Sequence, residues 1–103
     1  MTDLENALAF QLDAARIPHE REAQAVAGRR YRWDFKVGDY LVEIQGGTWS
    51  RQRTGHSTGA GIRRDAEKAN AAVLAGYKVL FFTSDMVHDG TALHVITEAL
   101  CSK

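Results

Sequence analysis

The sequence predicts an α/β fold, a mixed β-sheet of about four strands flanked by helices, and three observations carry that expectation. Apolar residues recur at helical spacing at the start of the chain, in its third quarter and at its end. Between the first two of these stripes, residues 31–45 alternate with the period of two that strands require. After the second stripe, Tyr77 to Thr83 forms a short continuous apolar run, the kind a strand buried on both faces shows.

The first helix opens on Thr2-Asp3-Leu4-Glu5, a capping box with Thr2 as N-cap and Glu5 reaching back to it. Leu4, Leu8, Leu12 and Ala15 follow as its inward stripe, and the helix must finish before Pro18. His19 to Gln24 reads as a short first strand and Ala25 to Gly28 as a turn. A hairpin follows over residues 30–46, turning through Gly38-Asp39 and ending at Gly46-Gly47. The segment from Thr48 to about Gly59 is polar and rich in Gly, Ser, Thr and Arg, as loops are. A second helix is expected from about Ala60 to Ala75 with Ile62, Ala66, Ala69 and Val73 inward, and Gly76 stands at the C′ position of a helix stop. The apolar strand comes next, and a closing helix spans about Thr91 to Leu100 with Leu93, Ile96 and Leu100 inward.

At 103 residues the chain is expected to be one domain over 1–103. No apolar run approaches the roughly 18 residues of a membrane span. The acidic start lacks the basic region of a secretory signal. Cys101 is alone, which excludes an internal disulfide and a cysteine-built zinc site. A cytoplasmic protein is the expectation. The net charge of zero hides a segregation: residues 29–64 carry eight Lys/Arg against three acids, while the flanking segments are acidic.

The hairpin carries the chemistry. Arg32, Asp34 and Lys36 lie between the aromatic and apolar residues of Tyr31 to Val37. In the next run Tyr40, Val42 and Ile44 point one way and Leu41, Glu43 and Gln45 the other. Pairing through Gly38-Asp39 lets Asp34 join Glu43 and Gln45 on one face. Two carboxylates held together repel, and burial raises the cost of keeping both charged. A hard divalent cation with oxygen ligands would stabilise them, and Mg²⁺ or Mn²⁺ suits carboxylates and water better than zinc does. The surrounding arginines suit a phosphate backbone. The plainer reading of Asp34 is an ion pair with Arg30 or Arg32, and that of Glu43 is a surface strand residue.

The element order and the residues together resemble the PD-(D/E)XK nuclease superfamily. Beyond the acidic pair, the resemblance rests on Arg29-Arg30-Tyr31-Arg32-Trp33-Asp34-Phe35, Val42-Glu43-Ile44-Gln45-Gly46-Gly47, His56, Asp65, Lys68, Asn70-Ala71-Ala72 and Gly76 to Thr83. That set, over roughly residues 20–100, looks like the small stand-alone nucleases of phages and prophages, which resemble the very-short-patch-repair endonuclease branch. The resemblance implies a restriction-endonuclease-like αβββαβ core. It implies Asp34 as the metal-binding aspartate and Glu43 as the acid of the (D/E)XK half. Gln45 stands where the family has lysine, and a neutral amide orients water without offering a full positive charge. Lys68 on the following helix is the substitute the resemblance suggests, on the flank of the Ile62 stripe; its alternative is a solvated charge beside Arg64 and Asp65. The first helix of the superfamily often lends a glutamate, which makes Glu5 a further ligand candidate beside its capping role, with Glu22 a weaker alternative. In the patch-repair branch a histidine after the second strand assists at the phosphate, which points to His56; the alternative is a loop histidine touching phosphate or nothing.

The function these expectations compose is metal-dependent endonucleolytic hydrolysis of DNA, structure-specific or nicking. Asp34 and Glu43, with the backbone carbonyl of Ile44 or Gln45, would hold one or two Mg²⁺ or Mn²⁺ ions. Gln45 would orient the attacking water, and Lys68 or His56 would add charge or a proton. Arg30, Arg32, Arg51, Arg53, Arg63 and Arg64 would contact DNA, and Trp49, among cations in the loop, would stack on a base or wedge a junction. Trp33 is expected in the core. A homodimer would allow paired cuts. The alternatives are a catalytically weak nuclease-fold module that binds nucleic acid or a partner protein, and a small interaction protein unrelated to nucleic acid.

Overall fold

The computed structural model describes residues 3–45 and 59–102. Its elements run α1 (Asp3–Ala14), β1 (Glu20–Ala23), β2 (Trp33–Val37), β3 (Tyr40–Ile44), α2 (Gly59–Leu74), β4 (Lys78–Phe82), α3 (Ser84–His88) and α4 (Thr91–Cys101). The four strands form one sheet in the order β1-β2-β3-β4, antiparallel between the first three and parallel between β3 and β4. Helix α2 is the crossover that a parallel pair requires. The expected mixed four-stranded sheet with flanking helices is the architecture found. No helix among the described residues is long and apolar enough to cross a membrane.

The sheet has a helical layer on each face. On one side Leu8 and Leu12 of α1, Val87 of α3, and Ala92 and Ile96 of α4 pack with Phe35, Val37, Val42 and Phe82. On the other, Ala72 of α2 packs with Trp33, Leu41 and Val26. The β2–β3 hairpin closes as the sequence predicts, with Val37 opposite Tyr40 across Gly38-Asp39. Gly38 has φ 59° and Asp39 does not join it at positive φ, the pattern of a two-residue turn that places glycine first.

Two helix C-termini close on residues at positive φ, while Thr2 of the expected capping box lies outside the described residues. Past α1, Arg16 takes φ 62°, its amide donates to Asp13 O, and the Ile17 amide donates to Leu12 O at 2.9 Å. Past α2, Gly76 takes φ 98° and the amides of Gly76 and Tyr77 donate to Val73 O and Ala72 O. Both are Schellman closures, which satisfy carbonyls that would otherwise be orphaned. Because α1 stops at Ala14, Ala15 is exposed rather than part of the inward stripe.

Three expectations require correction. The inward face of α2 is Lys68, Ala69, Ala71 and Ala72, so Ala69 of the expected stripe is half-buried, while Ile62 and Val73 are 60% and 59% exposed and Ala66 is exposed. The helix is thus turned by about 100° (one residue step) from the orientation that its bulkier residues suggest. Alanines allow close approach to Leu41 and Val79, and Lys68 is held by partners on the sheet. Second, β4 is not covered on both faces: Phe82 is buried, but Phe81 is 43% exposed. Third, the segment after β4 contains α3, which is too short to show helical periodicity in the sequence.

Candidate active site

The sheet opens at Asp34. The β2–β3 register runs Val37–Tyr40, Lys36–Leu41 and Phe35–Val42 and does not continue to Asp34 and Glu43. Asp34 takes the place of the missing backbone acceptor, its Oδ2 receiving the Ile44 amide hydrogen at 2.8 Å. On the β1 side, Arg21 pairs with Phe35 and Ala23 with Trp33, while Glu22 between them sits at φ 50°. Strand alternation breaks at the same place. Trp33 packs on the α2 face although Phe35 and Val37 pack on the other. The irregularity is therefore centred on the predicted metal-binding aspartate.

Four elements bring charge to this opening. Glu5 of α1 is hydrogen-bonded to Asp34, and its carboxyl is pushed above its usual range by burial, then by that bond and the charge of Asp34, then by the charge of Glu22. Arg21 of β1 lies 3.8 Å from Glu5 and donates to Asn6 Oδ1 at 3.0 Å. On β3, Glu43 is also pushed upward: burial dominates, the Asp34 charge adds to it, and Lys68 opposes it. Lys68 of α2 places Nζ 3.2 Å from Glu43 Oε1 and 4.4 Å from the centroid of the Trp33 ring. The two side chains are only 17% and 28% exposed. The lysine is thus fixed between a carboxylate and an aromatic face, a cation–π arrangement strengthened by partial desolvation.

Beside the pair lies a cleft of about 380 Å³ lined by Trp33, Glu43, Ile44, Gln45, Asp65, Lys68 and Phe81. Of the predicted residues, Glu43 and Lys68 line it, while Asp34 holds the amide of Ile44 in its wall and Glu5 stands against Asp34. Gln45 borders it at the end of β3, where its amide donates to Phe82 O at 2.7 Å. Ile44 turns its side chain to the main core and its amide to Asp34. The ion pair proposed between Asp34 and Arg30 or Arg32 is not what forms: Arg32 instead lies 3.8 Å from Glu22, both partly exposed. Nor is Lys68 a solvated charge beside Arg64 and Asp65. Arg63 is exposed and bonded to Glu67 at 2.9 Å, and Arg30 and Arg64 are exposed. Trp49, Arg51, Arg53 and His56 lie outside the described residues, as do Gly46 and Gly47.

Sequence reasoning gave no role to Arg21, Asp65 or Phe81. The parallel register that sets Glu43 beside Phe81 is the signal for the last of these, and it needs the β3–β4 pairing to be read.

The donor chemistry fits a hard cation: Glu5, Asp34 and Glu43 supply carboxylate oxygens, and the mutual repulsion of these acids is what a divalent charge would relieve. Among the described residues no three His, Cys, Asp or Glu side chains converge as a complete ligand set. The acids are engaged in pairs, Asp34 with Glu5 and Glu43 with Lys68.

Comparison with known proteins gives one informative likeness. No family model matches the chain, and no curated protein matches it. Among solved structures, the chain is similar to the homing endonuclease I-Bth0305I catalytic domain, with a TM-score of 0.69 and 22% identity over 95% of this chain and 93% of that one. The likeness is one of fold, and it spans almost the whole of both chains.

Proposed function

We propose that this chain is a metal-dependent endonuclease of PD-(D/E)XK type, related to the very-short-patch-repair branch, that hydrolyses DNA phosphodiester bonds in a structure-specific or nicking manner. One observation carries the reading. Asp34 and Glu43 flank the point where β2 and β3 part, and Lys68 reaches Glu43 from α2 at 3.2 Å. The sequence places glutamine where the superfamily has lysine, and a lysine from the next helix stands at the acid instead. The likeness to a homing endonuclease catalytic domain supports the same reading.

In this proposal Asp34 and Glu43, with Glu5 and the carbonyl of Ile44 or Gln45, would hold Mg²⁺ or Mn²⁺. The bound cation would supply a water of lowered pKa and charge against the transition state. Lys68 adds a fixed positive charge at the side where phosphate oxygens gain charge, and its contact with Trp33 keeps it in place. Gln45 orients the attacking water. Arg30, Arg32, Arg63 and Arg64 are exposed and available to phosphates, and Arg51, Arg53, Trp49 and His56, outside the described residues, are proposed as further contacts.

The test is a cleavage panel of duplex, nicked, branched and single-stranded DNA with Mg²⁺, Mn²⁺ or EDTA. Metal-dependent cleavage that Asp34→Asn abolishes supports the proposal. Salt-sensitive DNA binding without cleavage under any condition would replace it with the binding-module reading.

A further inference from the structure

Phe81 is a large apolar side chain left 43% exposed inside a charged cleft. It is the direct β3–β4 partner of Glu43, so its ring lies one strand spacing from the proposed reaction centre. Asp65, Gln45 and Lys68 line the same cleft. Trp33, 1% exposed, contributes another wall, and its indole Nε1 is buried without an acceptor among the described residues. An aromatic face beside convergent donors and acceptors, in a cleft of about 380 Å³, has the make-up and size of a site for one small planar ligand.

We propose that this cleft holds a single unstacked nucleobase of the substrate, stacked on Phe81 and hydrogen-bonded along its edge by Asp65. The inference rests on the nuclease reading, which makes DNA the ligand, and adds the class of DNA. A paired base has both faces covered and its Watson–Crick edge occupied, so it cannot enter. An unpaired base, in a single strand or at a mismatch, enters at lower cost because no pairing or stacking has to be broken. Stacking on an aromatic ring tolerates every base, whereas an Asp65 carboxylate favours bases that present an amino group. With Lys68 and Glu43 in the same cleft, the phosphate beside the captured base lies at the proposed metal site. The substrate is therefore DNA with an unpaired base next to the cleaved bond.

The test uses the full chain and a single-stranded oligonucleotide carrying 2-aminopurine, whose emission falls when it stacks, titrated in EDTA so that cleavage is off. Wild-type protein quenches the probe. Phe81→Ala loses the quench and binds roughly 5- to 150-fold more weakly, the range that loss of one base–aromatic stack gives. Phe81→Leu, which keeps an apolar side chain on the strand, also loses the quench, whereas Phe81→Trp keeps it. Phe10→Ala, removing an exposed aromatic on α1, changes nothing. Equal quenching by wild type and Phe81→Leu, or no quenching by wild type, overturns the base site. Cleavage is scored separately. A quench that depends on Phe81 without cleavage of any DNA upholds the base site while the nuclease reading fails. Cleavage with a quench indifferent to Phe81 removes the base site alone.

Discussion

Lys68 and Glu43, 25 positions apart in sequence, meet with Nζ 3.2 Å from Oε1, and the Trp33 ring lies under the ammonium. Neither partner would hold the other in place if α2 presented its bulkier stripe to the sheet. The ion pair therefore links the rotation of a helix to the chemistry of a strand. In the nuclease reading proposed above, Lys68 would supply the positive charge at the acidic centre that Gln45 does not.

Lys68→Ala should lower cleavage by about 10²–10³-fold, the effect of losing one preorganised electrostatic group. Lys68→Arg should recover little, because the guanidinium is planar and larger than the ammonium held between Trp33 and Glu43. Gln45→Lys should be tolerated in the wild-type background and should partly rescue Lys68→Ala. Steady-state cleavage rates for the four variants decide this. An inactive Gln45→Ala beside a fully active Lys68→Ala would show that the amide suffices.

Asp34 has a structural and a proposed catalytic part, and two substitutions separate them. Asp34→Asn keeps an oxygen for the Ile44 amide and should abolish cleavage with the fold intact. Asp34→Ala leaves that amide without its acceptor and should cost a further 1–3 kcal/mol or so in urea unfolding. Equal stability of the two variants would mean that the Ile44 hydrogen bond contributes nothing. Glu43→Gln should resemble Asp34→Asn in losing activity.

The strands, the hairpin turn and both helix stops were legible because each depends on local chemistry: period-two alternation, Gly38 in a two-residue turn, Gly76 past a helix. The hairpin also brings Asp34 close enough for its charge to act on Glu43, although the register stops at Phe35–Val42 and the two are not strand partners. What was not legible depends on partners far along the chain. The Ile62–Val73 stripe fits a helix period as well as the real inward face does, and only the sheet's Glu43 and Trp33 choose between them. Trp33 was assigned correctly to the core, but its position on the α2 face could not be read, because alternation breaks at Asp34. The exposure of Phe81 depends on how far α2 covers β4, which no local pattern encodes.

That rotation of α2 has its own test. Ile62→Gln should change stability by less than about 0.5 kcal/mol, as exposed substitutions do. Ala72→Leu forces extra volume against Leu41 and Trp33 and should cost about 1–3 kcal/mol. Chemical denaturation of both variants checks the pair, and the reverse order of effects would restore the stripe that the sequence suggested.

The exposed arginines predict a salt signature. Arg64→Ala should flatten the dependence of log binding constant on log salt by about one unit if it holds one phosphate, with stability nearly unchanged. Arg63→Ala should have a smaller effect, since Glu67 already engages that guanidinium at 2.9 Å. DNA binding across a salt series gives both slopes, and an unchanged slope for Arg64→Ala would place α2's outer face away from DNA.

The acidic centre sets a pH dependence whose sign can be worked out. Glu5 and Glu43 both titrate above the ordinary value of 4.5, so the folded state holds protons that the unfolded chain has released. Their contribution to stability is fully present below pH 4.5 and is lost as pH rises through the raised values. Glu5→Gln keeps a hydrogen-bonding side chain without the charge, and should flatten that decline while raising the melting temperature at neutral pH. Mg²⁺ or Mn²⁺ should raise the wild-type melting temperature more at pH 7 than at pH 5, because the cation and the protons compete for the same carboxylates. Glu5→Gln and Asp34→Asn should each reduce that metal-dependent increment. Thermal unfolding at the two pH values, with metal and with EDTA, measures all of these at once. An increment independent of pH and of both substitutions would place any bound metal elsewhere and leave the Glu5–Asp34 contact as a purely structural carboxyl pair.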